Sequence, residues 1–76
     1  MVTVLKTEGF RFVIFSNDHE PAHVHVFGDG ETKINLVGEP KLVWAYKMTK
    51  VDIRRAMRIA AANQDLFLGY WRDLHG

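Results

Sequence analysis

The spacing of apolar residues changes partway along the chain, and this change limits the folds that the chain can adopt. Up to Tyr46, short runs rich in aromatic and β-branched residues are separated by turn-forming residues, which is typical of β-strands. From Thr49 onward, apolar residues recur every three or four positions, as on one face of an α-helix. Because a single helix has no core of its own, its apolar stripe must pack against a sheet. The chain is therefore predicted to be an α+β domain.

The strand signals lie in the first part of the chain. Four runs have the composition of strands, at residues 10–15, 23–27, 32–37 and 42–46, and residues 2–5 are a candidate for an additional edge strand. Gly28-Asp29-Gly30 predicts a tight hairpin turn between two of these runs. We predict a small antiparallel meander of three to four strands with one long C-terminal helix packed on one face.

The helix has a clear predicted start and an apolar stripe that Gln64 interrupts. Thr49 followed by Asp52 resembles a capping box. The stripe is predicted to be core and consists of Ile53, Ala56, Met57, Ala60, Phe67 and Trp71. Trp44 and Tyr46 point to one face of their strand and are candidates for the core or for an interface, with core favoured.

Length and composition exclude several classes of protein. With 76 residues, the chain is predicted to be one domain spanning residues 1–76. So small a core is expected to be either marginally stable or stabilised by a partner chain, for which a second copy is one candidate. The chain contains no cysteine, which excludes a disulfide scaffold, a thiol nucleophile and a cysteine zinc site. No apolar run has the roughly 20 residues of a membrane span, so we expect a cytoplasmic protein without membrane contact. The net charge of +1 selects no class of partner.

Residues 18–26 contain three of the four histidines and are the candidate functional site. In a strand, His23 and His25 point to the same face, about 6.6 Å apart along the chain. Val24 and Val26 then point to the opposite face and are expected to lie under the helix. By the same alternation, Phe10, Phe12, Ile14, Ile34 and Leu36 are predicted to face the helix. Arg11, Lys33 and Asn35 are predicted to share the open face with the histidines.

One interpretation of the cluster is a metal site. His23 and His25, with His19 or Asp18 as the third ligand, would leave one position open, as in catalytic zinc sites. In the version built from His19, His23 and His25, the cofactor is a divalent metal such as Zn²⁺, and Asp18 fixes a histidine tautomer.

Two other interpretations need no metal. In the first, His23 and His25 act as acid and base on RNA, Asp18 orients an imidazole, and Arg11 and Lys33 hold the phosphate, which is a ribonuclease-like activity. In the second, the histidines are ordinary strand and loop residues, and Asp18 caps the turn. The sequence leaves all three interpretations open.

Residues 18–26, preceded by Phe12-Val13-Ile14-Phe15-Ser16, resemble the signature of domain-of-unknown-function family 4160, a group of small bacterial proteins. The similarity continues through Met48-Thr49 and residues 63–67 to Trp71. Ala22 stands where the family usually has a second proline.

The resemblance implies limited functional information, because the family has no established activity. Its signature positions fall on Asp18, His19, Pro21, His23 and His25. The resemblance also implies a small protein partner from a neighbouring gene, in an arrangement like that of toxin–antitoxin modules. The open face that carries the histidines would then bind RNA or that partner. Alternatively, the chain would be a non-catalytic protein-interaction module.

Overall fold

The structure, a computed structural model, describes all 76 residues. Its strands are β1 (Val2–Thr7), β2 (Phe10–Ile14), β3 (His23–Phe27), β4 (Glu31–Asn35) and β5 (Lys41–Tyr46), and its helices are α1 (Lys50–Ala62) and α2 (Gln64–His75). The strands form one sheet in the order β1-β2-β3-β4-β5, with every neighbouring pair antiparallel. The predicted α+β meander is confirmed. The prediction of three to four strands and a single long helix is wrong, because the structure has five strands and two helices.

The fifth strand is β1, which extends the edge strand predicted over residues 2–5. It pairs with β2 from Val2 opposite Ile14 to Thr7 opposite Phe10, with an irregularity between Thr3 and Leu5. A tight turn joins the two strands. The strand ends with the polar residues Lys6 and Thr7, which is why the apolar pattern covers only its first part.

The single predicted helix is divided at Asn63, which ends α1 and begins α2. The side-chain amide of Asn63 donates to the carbonyl of Ile59 at 2.9 Å, beside the backbone N–H of the same residue at 3.0 Å. The next side chain, Gln64, donates to the carbonyl of Leu36 at 2.8 Å. At the other end of α1, Thr49 accepts a hydrogen bond from the backbone N–H of Asp52 at 3.1 Å, which confirms the predicted helix start.

The core lies between the two helices and the face of the sheet that they cover, called here the helix face. Phe12 and Phe67 are fully buried and stack with ring centroids 5.3 Å apart. All seven strand residues predicted to face the helix belong to this core, namely Phe10, Phe12, Ile14, Val24, Val26, Ile34 and Leu36. Neither helix is long and apolar enough to cross a membrane.

The turn between β3 and β4 requires glycine at one position. A Cβ atom on Gly30 would overlap the backbone carbonyl of Tyr46, because the end of β5 passes directly beside the turn. The backbone N–H of Gly28 donates to the carbonyl of Gly30 at 3.0 Å, and this compact turn places Phe27 opposite Glu31. The predicted hairpin is confirmed, and its register is fixed.

Strand β5 lies at the edge of the sheet, and all six of its residues are exposed. Trp44 and Tyr46 are 40% and 61% exposed, so the prediction that they belong to the core is wrong. Both side chains lie on the face of the sheet away from the helices, as their pairing with Lys33 and Glu31 requires. No element of the chain packs over that part of the sheet.

Candidate functional site

The candidate site lies on the face of the sheet opposite the helix face, called here the site face. His23 and His25 point to this face from β3, as predicted, while Val24 and Val26 are buried in the core on the other side. The imidazole of His23 is almost fully buried, and the side chain of His25 is 13% exposed. The two rings lie edge to face with centroids 5.2 Å apart.

Asp18 completes the cluster from the loop before β3. A turn in which the backbone N–H of Asp18 donates to the carbonyl of Phe15 at 3.1 Å directs this residue toward the strand. One carboxylate oxygen, Oδ2, then lies 2.9 Å from Nε2 of His23 and 3.4 Å from Nε2 of His25. Asp18 is partly exposed, so the cluster meets solvent on this side.

The outer ring nitrogens of both histidines also have partners. Nδ1 of His23 lies 2.9 Å from the backbone carbonyl of Pro21, and Nδ1 of His25 lies 3.0 Å from Oε2 of Glu31. A carboxylate oxygen only accepts hydrogen bonds, and Nε2 of His23 also faces one, Oδ2 of Asp18; when the hydrogen is on Nδ1, each ring donates to its outer partner. In a neutral imidazole the other nitrogen, Nε2, then presents a lone pair.

This arrangement directs two nitrogen lone pairs and one carboxylate oxygen toward the same small volume. Three acceptors at such distances repel one another unless a positive charge lies among them. That charge is supplied either by protons on both Nε2 atoms or by a metal cation. A histidine that donates Nδ1–H to a carboxylate or a backbone carbonyl is the usual arrangement for metal-ligating imidazoles.

Helix α2 supports the site through Trp71. The indole ring is 3% exposed and lies 5.0 Å from the ring of His23, closing that histidine off from solvent. Its N–H donates to Oε1 of Glu20 at 3.0 Å, which ties the loop between Asp18 and β3 to the helix. His75 stacks on the other side of the indole at 3.8 Å. Trp71 is thus core, as predicted, and it also positions the site loop.

The structure brings three of the sequence-predicted site residues together and leaves three outside the cluster. The ligand atoms of Asp18, His23 and His25 all lie within 4.8 Å of one another. His19, the alternative third ligand, is exposed and has no side-chain hydrogen bond. Arg11 and Lys33 lie on the site face but make no hydrogen bond or ion pair with the histidines or Asp18. The guanidinium of Arg11 instead lies 5.3 Å from the centroid of the Phe27 ring.

Two contacts that support the site were not predicted: the one between Glu31 and His25, and the one between Trp71 and Glu20. Glu31, which orients His25, could have been found from the hairpin turn, because a three-residue turn places it opposite Phe27 and therefore diagonal to His25. The pairing of Trp71 with Glu20 joins residues 51 positions apart and has no signal in the sequence.

The surroundings of the cluster are open rather than concave. The two largest surface depressions, of about 410 and 370 Å³, are lined by α2 and by the β1–β2 turn with the end of β3, and neither includes Asp18, His23 or His25. Phe15 and Trp44 flank the ring of His25, with centroids at 4.9 and 6.0 Å. A ligand would therefore approach across an open surface instead of entering a pocket.

The fold and the site together define a small α+β domain with a histidine–carboxylate cluster on the open face of its sheet. The model of the family described as "Domain of unknown function (DUF4160)" matches residues 9–72, so the chain belongs to this family, as the sequence resemblance predicted. The match includes all the residues of the cluster. Comparison with curated proteins and with solved structures gave no match.

Proposed function

We propose that this protein binds a divalent transition metal through Asp18, His23 and His25. The observation that carries the proposal is the convergence of the Nε2 atoms of His23 and His25 on one carboxylate oxygen of Asp18, while each Nδ1 atom faces its own acceptor. Two imidazoles and one carboxylate form a donor set that Zn²⁺ and Fe²⁺ both accept.

The two distances from Asp18 to the histidines match an ion of this size, and all three ligand atoms lie within 4.8 Å of one another. Two ligand atoms about 2.1 Å from a metal lie about 3.0 Å apart when they subtend a right angle and about 3.4 Å apart at the tetrahedral angle. The two distances from Asp18 Oδ2 to the histidine nitrogens are 2.9 and 3.4 Å. With three protein ligands and a partly exposed carboxylate, the metal would keep at least one position for water or another ligand.

The metal-free acid–base mechanism on RNA has less support from this geometry. In that mechanism one imidazole accepts a proton while the other donates one, on opposite sides of the reacting phosphate. Here both Nε2 atoms point to the same oxygen of Asp18, and neither Arg11 nor Lys33 contacts either ring. That mechanism, the toxin–antitoxin-like role and the small protein partner stay predictions.

Calorimetric titration of the tag-free protein with Zn²⁺ tests the proposal. We expect one ion bound per chain. Loss of a residue that only hydrogen-bonds to a metal ligand weakens metal affinity roughly 10–100-fold. Replacing His25 by alanine should weaken the affinity for Zn²⁺ by more than this, because a direct ligand is lost. His19→Ala is the matched control, since it removes an imidazole from the same loop without touching the cluster.

Two outcomes would count against the proposal. Binding that survives in His25→Ala, or that is lost equally in His19→Ala, would exclude the assigned ligand set. Because Asp18 is partly exposed, Asp18→Asn provides a second ligand variant that keeps the size of the side chain. The absorption spectrum of bound Co²⁺ should change in Asp18→Asn and stay the same in His19→Ala.

A further inference from the structure

The site face carries a concentration of positive charge that the net charge of the chain conceals. Lys6 and Arg11 lie opposite each other on this face, Lys33 lies opposite His25, and Lys41 lies opposite Asn35, which pairs with His23. Lys47 follows β5 and places its ammonium 5.3 Å from the centroid of the Tyr46 ring, on the same face. The carboxylates of Asp18 and Glu31 lie among these cations, and the histidines engage both.

The cations of the site face are not used to hold the fold together. None of the five makes an ion pair, whereas Arg55 and Arg58 of α1 both pair with Glu8. The direct opposition of Lys6 and Arg11 is unfavourable by itself, because like charges across a strand pair repel. A surface that accumulates unpaired positive charge at a stability cost is suited to a polyanion.

Exposed aromatic rings lie among these cations. Trp44 and Tyr46 are 40% and 61% exposed, and both lie on the site face. Trp44 lies near His25, and Tyr46 lies opposite Glu31. The ring of Phe27 lies between Arg11 and Glu31. Open aromatic rings spaced between cations form the surface on which unpaired bases stack while the phosphates meet positive charge.

We propose that the site face binds single-stranded nucleic acid, with its phosphates on Lys6, Arg11 and Lys33 and its bases on Trp44 and Tyr46. A single strand is required because a double helix keeps its bases stacked away from such rings. The absence of a pocket at the cluster fits a long ligand that lies across the sheet. The inference extends the proposed function, since it names the polymer that a metal at Asp18, His23 and His25 would face.

Fluorescence anisotropy tests the inference with a labelled 12-nucleotide oligouridylate, an oligothymidylate of the same length and a 12-base-pair duplex. All measurements contain EDTA, so that binding is measured without metal. The two single strands distinguish RNA from DNA, and either one binding more tightly than the duplex supports the proposal. With three phosphates neutralised, the logarithm of the binding constant should fall with the logarithm of salt concentration with a slope of about −2.

Charge variants on the two sides of the molecule separate the site face from general basicity. Arg11→Ala combined with Lys33→Ala should weaken binding more than tenfold in low salt and reduce the slope by about 1.4. Lys50→Ala combined with Arg54→Ala removes the same charges from exposed positions of α1 and should leave binding within twofold. Trp44→Ala should weaken binding about tenfold while leaving the slope unchanged, because stacking contributes without counterion release.

Several results would overturn the inference. These are an equal loss of binding in the α1 variant, equal affinity for the duplex, no effect of Trp44→Ala, or a wild-type chain that binds neither single strand. If the Arg11 and Lys33 variant fails to give the wild-type circular dichroism spectrum, Lys6→Ala combined with Lys41→Ala replaces it, because both of those residues are exposed. If the protein binds oligonucleotide but not Zn²⁺, the proposed metal site is wrong and the inference about nucleic acid stands.

Discussion

The hydrogen bond between Trp71 and Glu20 provides a quantitative test of how α2 holds the site loop. Glu20 lies in the loop between Asp18 and His23, and its carboxylate accepts the indole N–H at 3.0 Å. Hydrogen bonds to charged groups contribute roughly 1.5–3 kcal/mol. Since Glu20 is exposed and Trp71 is 3% exposed, the lower end of that range, about 1.5 kcal/mol, applies here.

We therefore expect Glu20→Ala to lower the free energy of unfolding by about 1.5 kcal/mol, which corresponds to a fall in Tm of about 6–12 °C for a chain of this size. Trp71→Phe should cost more, because it removes the same hydrogen bond and leaves part of a buried ring volume unfilled. The double variant should cost about 1.5 kcal/mol less than the sum of the two single variants, because the shared bond is lost only once.

Urea denaturation followed by far-ultraviolet circular dichroism measures these differences without relying on tryptophan fluorescence. Glu39→Ala is the matched control, because it removes an exposed glutamate from another loop without breaking any side-chain hydrogen bond. Effects of the two single variants that add to within about 0.3 kcal/mol would refute the reasoning. The contact would then hold neither the loop nor the site.

Three other predictions follow from single contacts. Phe67→Ala should lower the free energy of unfolding by about 3–5 kcal/mol in urea denaturation, because it empties the space against Phe12; a loss below about 1 kcal/mol would contradict the packing described. Glu31→Gln should weaken Zn²⁺ binding roughly 10–100-fold in calorimetry while leaving the circular dichroism spectrum unchanged, and unaltered affinity would mean that this carboxylate does not orient His25. Gly30→Ala should prevent the wild-type fold, because its methyl group would overlap the carbonyl of Tyr46, and a wild-type melting curve would argue against that close approach.

The division of the sheet into two faces could be predicted because strand geometry depends only on local alternation. Once residues 23–27 are assigned to a strand, two valines and two histidines must lie on opposite sides. The prediction therefore placed His23 and His25 together without knowing any strand pairing. The start of α1 at Thr49 was predictable for the same reason, since a cap is formed by residues three positions apart.

The division of the C-terminal helix depends on contacts that the local pattern does not contain. Polar Asn63 and Gln64 interrupt the apolar stripe, but it resumes at Phe67, so the pattern alone favours one continuous helix. What distinguishes the two helices is the hydrogen bond from Gln64 to a carbonyl 28 residues earlier. The exposure of Trp44 similarly depends on where the helices lie over the sheet, which composition does not reveal.

The third member of the cluster could not be chosen from the sequence because two neighbouring residues have suitable chemistry. Asp18 and His19 both occupy the loop before β3, and a rotation of the backbone decides which one faces the strand. The turn back to Phe15 turns Asp18 inward and leaves His19 exposed. Spacing alone favours neither residue.

Every proposed metal ligand, together with the carboxylate that orients His25, comes from one continuous stretch of chain between Asp18 and Glu31. A denatured molecule thus keeps its chelating groups near one another, and free ions will associate with it as well as with the native state. Thermal protection by zinc will then be smaller than the native affinity alone would give. For the same reason, a peptide that contains only the β3–β4 hairpin and the loop before it should bind the ion, with low affinity.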